Sequence, residues 1–143
     1  MLRGGTPIAD LFLQVQINGD VALLKALMCL LLEAESEQPG EVLDQDFIGL
    51  YTEGFQELRA HLEAQDVDAL VEAAGVTRAE LEQAVAIILR SRKTIVCWAM
   101  GLTQHRNGVG NVREIVNFLL MRGSLGTPGA GTCPVRGHSN VQG

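Results

Sequence analysis

Hydrophobic residues follow helical spacing through the first two thirds of this chain and then change to a strand-like run near Thr94. Between residues 21 and 35 they recur at intervals of three and four, which predicts a buried helix. These positions are Leu23, Leu24, Leu27, Met28, Leu31 and Leu32. Asp20 is expected to cap this helix, because its free N–H groups favour an acceptor. Before it, residues 11–17 alternate and predict a strand or an extended segment.

Shorter helical segments follow, separated by polar or glycine-containing breaks. The pattern predicts helices at residues 43–51, with Asp44 or Asp46 near the start, at 53–63, and at 67–74 before Gly75. Residues 77–80 (TRAE) match a capping box, in which the threonine and glutamate satisfy the first N–H groups of the next helix. Its predicted apolar stripe consists of Leu81, Ala84, Val85, Ile88 and Leu89.

The last third of the chain predicts a different architecture. Residues 94–100 are rich in β-branched and aromatic side chains and predict a strand, followed by a polar loop at 103–110 and a helix at 111–121. A glycine-rich tail covers residues 123–143. A strand, loop and helix followed by a polar glycine-rich loop is how α/β proteins build ligand sites at strand ends.

These patterns predict an α/β fold that is mostly helical. It should contain a Rossmann-like αβα unit, few strands, a parallel strand pair and a glycine-rich C-terminal loop. The predicted organisation is a loop and extended segment at residues 1–19, a helical region at 20–92, and a strand-loop-helix-loop region at 93–143.

Composition excludes several classes of protein. With 143 residues the chain is one domain or part of one, and its net charge of −6 argues against nucleic-acid binding. Cys29, Cys97 and Cys133 lie far apart without a CxxC motif, so neither a zinc site nor a disulfide framework is indicated. A reducing cytoplasm is the expected location. The apolar run at residues 23–32 contains Lys25 and is too short for a membrane segment.

Three sequence blocks carry a specific resemblance. They are WAMGLTQ at residues 98–104, LMRGSLGTPGAG at 120–131 and PVRGHSNVQG at 134–143. In this order they resemble the large subunit of molybdopterin-dependent oxidoreductases of the dimethyl sulfoxide reductase superfamily, in the formate dehydrogenase-like branch. Ser124 stands where that family usually has asparagine. The resemblance implies an internal fragment of a longer two-electron redox enzyme.

The resemblance also implies roles for particular residues. Met100, Gly101, Gln104 and Asn140 would bind the cofactor, a molybdenum bis(molybdopterin guanine dinucleotide) in the full-length enzyme. At Gly101 the missing side chain would let the backbone approach a phosphate or base.

Two further residues are the catalytic candidates. Arg136 would hold an anionic substrate through its planar charged fork. His138, where formate dehydrogenases often have glutamine, would hydrogen-bond or shuttle a proton, and this difference leaves the substrate open.

The family's metal ligand lies upstream of these blocks, so Cys133 is not assigned to the metal. The fragment alone is therefore expected to be inactive and to bind no cofactor. The full-length enzyme would need a small anionic substrate and an electron-transfer partner.

Other interpretations stay open from the residues alone. The sequence GVGNVR at 108–113 lacks the third glycine of a nicotinamide fingerprint, so that site is rejected. Gln104 and His105 could be ordinary loop polar residues, and the tail a flexible linker. The alternative function is a non-catalytic nucleotide-binding module or an oligomerisation module built on the leucine-rich first helix.

Overall fold

The computed structural model describes residues 8–135, which form a mostly helical α/β fold, as the sequence predicts. Seven helices and two strands occur in this part of the chain. In order they are α1 (Asp20–Glu37), α2 (Gln45–Tyr51), α3 (Phe55–Glu63), α4 (Val67–Ala74), α5 (Arg78–Arg90), β1 (Ile95–Trp98), α6 (Met100–Thr103), α7 (Gly108–Met121) and β2 (Gly131–Pro134).

Helix α1 is the centre of the core. It packs against α3, α4, α5 and α7, and every residue from 26 to 32 is buried. The spacing of leucines predicts one buried stripe, but Ala26, Cys29 and Leu30 are buried as well, whereas Leu23 and Leu24 are only partly buried. A helix that is apolar on all sides is covered on all sides.

Local capping chemistry sets three of the helix starts. The Asp44 carboxylate accepts from the N–H of Phe47 at 2.9 Å, and Asp66 caps α4 in the same way. The capping box predicted at Thr77 and Glu80 is confirmed, with both reciprocal hydrogen bonds present. These starts were predictable because each capping side chain lies within three residues of the backbone N–H group from which it accepts.

The predicted cap at Asp20 is wrong. Gly19 precedes α1 without a side-chain cap, and Asp20 is the first residue of the helix itself. Its carboxylate instead lies toward His105, with Oδ2 3.7 Å from Nδ1. A negative charge in the first turn still opposes the positive end of the helix dipole.

Other boundaries also differ from the prediction. Of the two alternatives predicted for residues 11–17, the strand does not form, since no neighbouring strand is present among residues 8–135, and the extended segment stays a prediction; the N–H of Gln16 donates to the carbonyl of Ala74. Leu89, predicted to be buried, is 40% exposed; it lies in the last turn of α5. The predicted strand at 94–100 ends at Trp98, and α7 begins at Gly108, three residues before the predicted start at Asn111.

The two strands form a parallel pair joined through α6 and α7. A parallel pair was predicted, but its second strand lies at Gly131–Pro134, within the segment predicted to be a glycine-rich loop. Their register places Ile95 opposite Gly131 and Trp98 opposite Pro134. Val96 and Trp98 pack against the core, so the alternate positions face outward. Since β2 belongs to the glycine-rich tail, the flexible-linker interpretation is wrong for residues 131–134.

One charged side chain, that of Arg122, connects the earlier helices to the end of α7. Arg122 follows α7, and its guanidinium donates to the carbonyls of Ile88 at 3.3 Å, Ser91 at 2.6 Å and Val42. Burial lowers the pKa of Arg122, while the nearby Glu35 carboxylate opposes that shift. Arg122 thus fastens the loop after α1 and the end of α5 to α7.

Glu35, in the last turn of α1, organises the loop that follows. Its carboxylate accepts from the N–H groups of Gly40, Val42 and Leu43 and from the side-chain amide of Gln45, at 2.8 to 3.1 Å. Partial burial favours the neutral acid, but these hydrogen bonds outweigh it and lower the pKa of Glu35. The ionised form therefore stabilises the fold.

Replacing Glu35 with glutamine should lower the free energy of unfolding by about 1–2 kcal/mol at neutral pH, because an amide cannot accept on both arms. The lowered folded-state pKa means that this stabilisation is present above about pH 4.5 and is lost as the pH falls through the folded-state value. Urea unfolding of both chains at several pH values measures this. The difference should shrink in acid, and Glu33→Gln, at an exposed neighbour, should change stability by less than about 0.5 kcal/mol. A constant difference at all pH values would contradict the assignment.

Candidate functional site

The candidate site lies at the edge of the sheet where both strands end. Because β1 and β2 are parallel, their carboxyl ends meet, and the N–H of Val135 donates to the carbonyl of Trp98 at 2.7 Å. The chain therefore leaves this edge twice, through Met100 after β1 and through Val135 after β2. Ligands of open α/β sheets bind at such carboxyl ends.

The residues after β1 form one helical turn rather than an extended loop. The N–H of Gln104 donates to the carbonyl of Met100 at 2.9 Å, and its side-chain amide lies 3.9 Å from the Met100 sulfur. Met100 is 39% exposed. A side chain added at Gly101 would meet no atom within 4 Å, so the space in front of that backbone is open. The turn thus presents an exposed thioether, an amide and accessible backbone.

His105 continues this surface toward the start of α1. Its Nδ1 is buried and lies 3.7 Å from the Asp20 carboxylate, which is too long for a hydrogen bond, so it has no partner in the described part of the chain. Nearby, the Asn107 amide donates to the Asn18 side chain at 3.2 Å, and Asn18 adopts a left-handed conformation with φ 69°. These contacts bring the turn before α1 against the turn before α7.

Asn111, on α7, supports the turn after β1 from the protein interior, a role that no sequence pattern predicted. It is fully buried, and its amide donates to the carbonyl of Leu102 at 2.9 Å, while its Oδ1 has no partner among residues 8–135. Gly108 lies against the backbone of Thr103, where a Cβ would be 2.5 Å from the carbonyl oxygen. The absence of a side chain at Gly108 therefore allows α6 to pack closely on α7.

The predicted site residues thus divide into two groups. Met100, Gly101 and Gln104 lie together on the turn after β1. Arg136, His138 and Asn140 lie outside the described residues, and they follow Val135 in sequence. The roles of all six stay predictions.

Two further observations concern the described residues. No group of three or more His, Cys, Asp or Glu side chains in residues 8–135 is arranged to hold a metal ion. A cleft of about 730 Å³ lies away from this edge, between the loop after α1 and the end of α5, and Arg122 is among its lining residues. The cleft is lined by Arg122 and by residues such as Val42 and Ser91, whose backbone groups already take part in structural hydrogen bonds, so the strand edge is the better candidate. No helix in residues 8–135 has the length and apolar character needed to cross a membrane.

Comparison with known proteins finds relatives whose sequences are similar to nearly all of this chain. No family model matches it. It is 48% identical over 139 residues to an "uncharacterized oxidoreductase" of Mycobacterium tuberculosis, covering 97% of this chain and 18% of the relative. It is 40% identical over 142 residues to the protein YdeP of Escherichia coli, covering 96% and 19%. Formate dehydrogenase H of Escherichia coli is 33% identical over 136 residues, covering 95% and 18%.

The similarity thus extends over nearly all of this chain, including the turn after β1 and the glycine-rich segment. The chain spans slightly less than a fifth of the length of these curated relatives. Over nearly its whole length, this chain is therefore similar to one segment of longer proteins that are named oxidoreductase or formate dehydrogenase.

Proposed function

We propose that this chain is part of a longer molybdopterin-dependent oxidoreductase and contributes loops that bind a molybdenum bis(molybdopterin guanine dinucleotide) cofactor. One observation carries the proposal. The parallel pairing of β1 and β2 brings the ends of both strands to one edge, so that the MGLTQ turn and the start of PVRG emerge together. These are the two blocks that resemble cofactor and substrate loops. The bound cofactor supplies the two-electron chemistry.

The described residues fit a bulky dinucleotide. The accessible backbone at Gly101 allows a phosphate or a base to approach without a steric conflict. The Gln104 amide can donate and accept at a base edge, and the exposed Met100 thioether offers a polarisable contact surface.

The substrate loop follows β2. Arg136 would hold a small anion by charge and by paired hydrogen bonds, and His138 would position it or move a proton. Asn140 would add a cofactor contact. These assignments come from the resemblance of the PVRGHSN block. They predict a small anionic substrate, which need not be formate.

The packing of α1 argues against the oligomerisation alternative. The leucines of its central part are buried within this chain against α4, α5 and α7, so they are not available to a partner. A nucleotide-binding module without redox chemistry would use the same loops but would bind no metal, so the metal content distinguishes the two functions.

Metal and nucleotide analysis of the full-length parent protein tests the proposal. Protein purified from cells supplied with molybdate and tungstate should contain molybdenum or tungsten, and acid hydrolysis should release guanine nucleotide. Guanine nucleotide without either metal would replace the proposal with the non-catalytic module. The absence of both would refute nucleotide binding altogether.

Substituting Gln104 with alanine in that protein should weaken cofactor retention about tenfold, which corresponds to one lost hydrogen bond of about 1.4 kcal/mol. The measurement is the molybdenum content after dialysis, compared with that of the unsubstituted protein. Gln83→Ala is the matched control, because Gln83 is an exposed glutamine on α5. Equal retention by the two variants would remove Gln104 from the site.

A further inference from the structure

Cys97 and Cys133 lie opposite each other on the outer face of the strand pair. The register of the parallel strands pairs these two residues directly, and both are exposed. Side chains of directly paired residues leave a sheet on the same face. Two thiols that are distant in sequence are therefore neighbours in space.

The spacing suits a covalent bond between them. Neighbouring strands lie about 4.8 Å apart, which is within the range of about 4.4 to 6.8 Å between the Cα atoms of disulfide-bonded cysteines. A hydrogen bond with the Cys133 thiol raises the pKa of Cys97, with smaller contributions from desolvation and from the Cys133 charge. This effect agrees with the register in placing the two thiols side by side.

The third cysteine is chemically different. Cys29 is buried in α1, where its thiol lies 3.4 Å from the carbonyl of Leu62, and burial raises its pKa to about 11. The thiolate is the reactive form, so a buried thiol with a raised pKa is inert near neutral pH. Cys29 therefore serves as an internal reference for the exposed pair.

We propose that Cys97 and Cys133 form a redox-active dithiol that a small-molecule disulfide oxidises to an intramolecular disulfide joining β1 and β2. One thiolate attacks a sulfur of the small disulfide, which forms a mixed disulfide and releases one small thiol. The second thiolate then attacks the protein sulfur of the mixed disulfide and releases the other small thiol. The protein loses two electrons and two protons, and the small disulfide is reduced to two thiols.

This site is separate from the proposed cofactor contacts and has a structural consequence. Cys97 lies one residue before Trp98, where β1 ends, and Cys133 lies one residue before Pro134, where β2 ends. A bond between them would fix the separation of the two strands next to the edge where the MGLTQ and PVRG segments emerge.

Oxidation of the purified 143-residue chain by glutathione disulfide tests the proposal. After the reaction, free thiols are alkylated and the chain is analysed by peptide mass spectrometry. We expect two of the three cysteines to become unavailable to the alkylating agent, with one cross-link between the peptides that contain Cys97 and Cys133. Dithiothreitol should restore both thiols.

Single substitutions distinguish this bond from nonspecific oxidation. Cys133→Ser should stop at a stable glutathione adduct on Cys97, Cys97→Ser should give the reverse adduct, and Cys29→Ala should still form the bond. Circular dichroism establishes that each variant is folded. If only one of the two serine variants folds, that variant alone is sufficient to test for the single adduct. Stable adducts on both cysteines of the unsubstituted chain, or disulfide-linked dimers in place of the internal bond, would overturn the proposal.

Discussion

Replacing Arg122 with methionine should lower the free energy of unfolding by about 3 kcal/mol, because three backbone carbonyls lose a charged donor at once. The carbonyls belong to Val42, Ile88 and Ser91, and the guanidinium that serves them is partly buried. Methionine keeps much of the side-chain length but has no donor. For a chain of this size the loss corresponds to a decrease of about 10 °C in the melting temperature.

Lysine at the same position separates charge from geometry. An ammonium group keeps the positive charge but cannot spread its donors across three carbonyls as the planar guanidinium does. We expect Arg122→Lys to recover less than half of the loss. Thermal unfolding followed by circular dichroism measures both variants.

Arg113→Met is the matched control. Arg113 is exposed on the preceding helix α7, and its side chain makes no hydrogen bond to any residue between 8 and 135. It should stay within about 0.5 kcal/mol of the unsubstituted chain. An equal effect at both positions would show that loss of positive charge, rather than the carbonyl contacts, destabilises the fold.

Arg122 also shows where the sequence stops being informative about this fold. The capping box at Thr77 and Glu80 could be predicted because its partners are three residues apart, and Gly75 ends α4 as expected. Arg122 bonds to the carbonyl of Val42, which lies 80 residues away in the chain. Backbone carbonyls have no side-chain signature, so no pattern of residue types predicts that contact.

The candidate site divides in the same way. The strand before Met100 follows from local composition, but its partner at Gly131–Pro134 does not, because a glycine-rich segment favours a loop. The short helix α6 and the early start of α7 do not, because they depend on Gly108 meeting the backbone of Thr103 and on Asn111 reaching the carbonyl of Leu102. A lone asparagine three residues into a helix favours a loop when it is judged by propensity alone. Its buried hydrogen bond reverses that preference.

The roles of Arg136, His138 and Asn140 remain predictions, because these residues lie beyond the described chain. The fold does show where the described chain ends. Val135 lies at the same sheet edge as the MGLTQ turn, because its N–H donates to the carbonyl of Trp98. The two blocks are more than thirty positions apart in the sequence, and only the parallel register brings them together.

Substituting Gly108 with alanine should destabilise the chain by about 2–3 kcal/mol and move α6 away from α7. The added Cβ would lie 2.5 Å from the carbonyl oxygen of Thr103 and 3.1 Å from its carbonyl carbon. Both obstacles are backbone atoms, so no side-chain rotation relieves the contact. The shift should also weaken the hydrogen bond between Asn111 and Leu102, which closes the turn.

The same substitution two residues later, Gly110→Ala, should have the opposite effect on the free energy of unfolding. Gly110 lies in the same helix, and a Cβ there would meet only a methyl group of Val21 at 3.9 Å, an ordinary contact. Alanine is favoured over glycine inside a helix by about 1 kcal/mol, so Gly110→Ala should raise stability. Urea unfolding gives both free energies, and the fluorescence of Trp98, the chain's single tryptophan, reports the region next to α6. If both variants gained stability and left that fluorescence unchanged, close packing at Gly108 could not be what holds the turn after β1 in place.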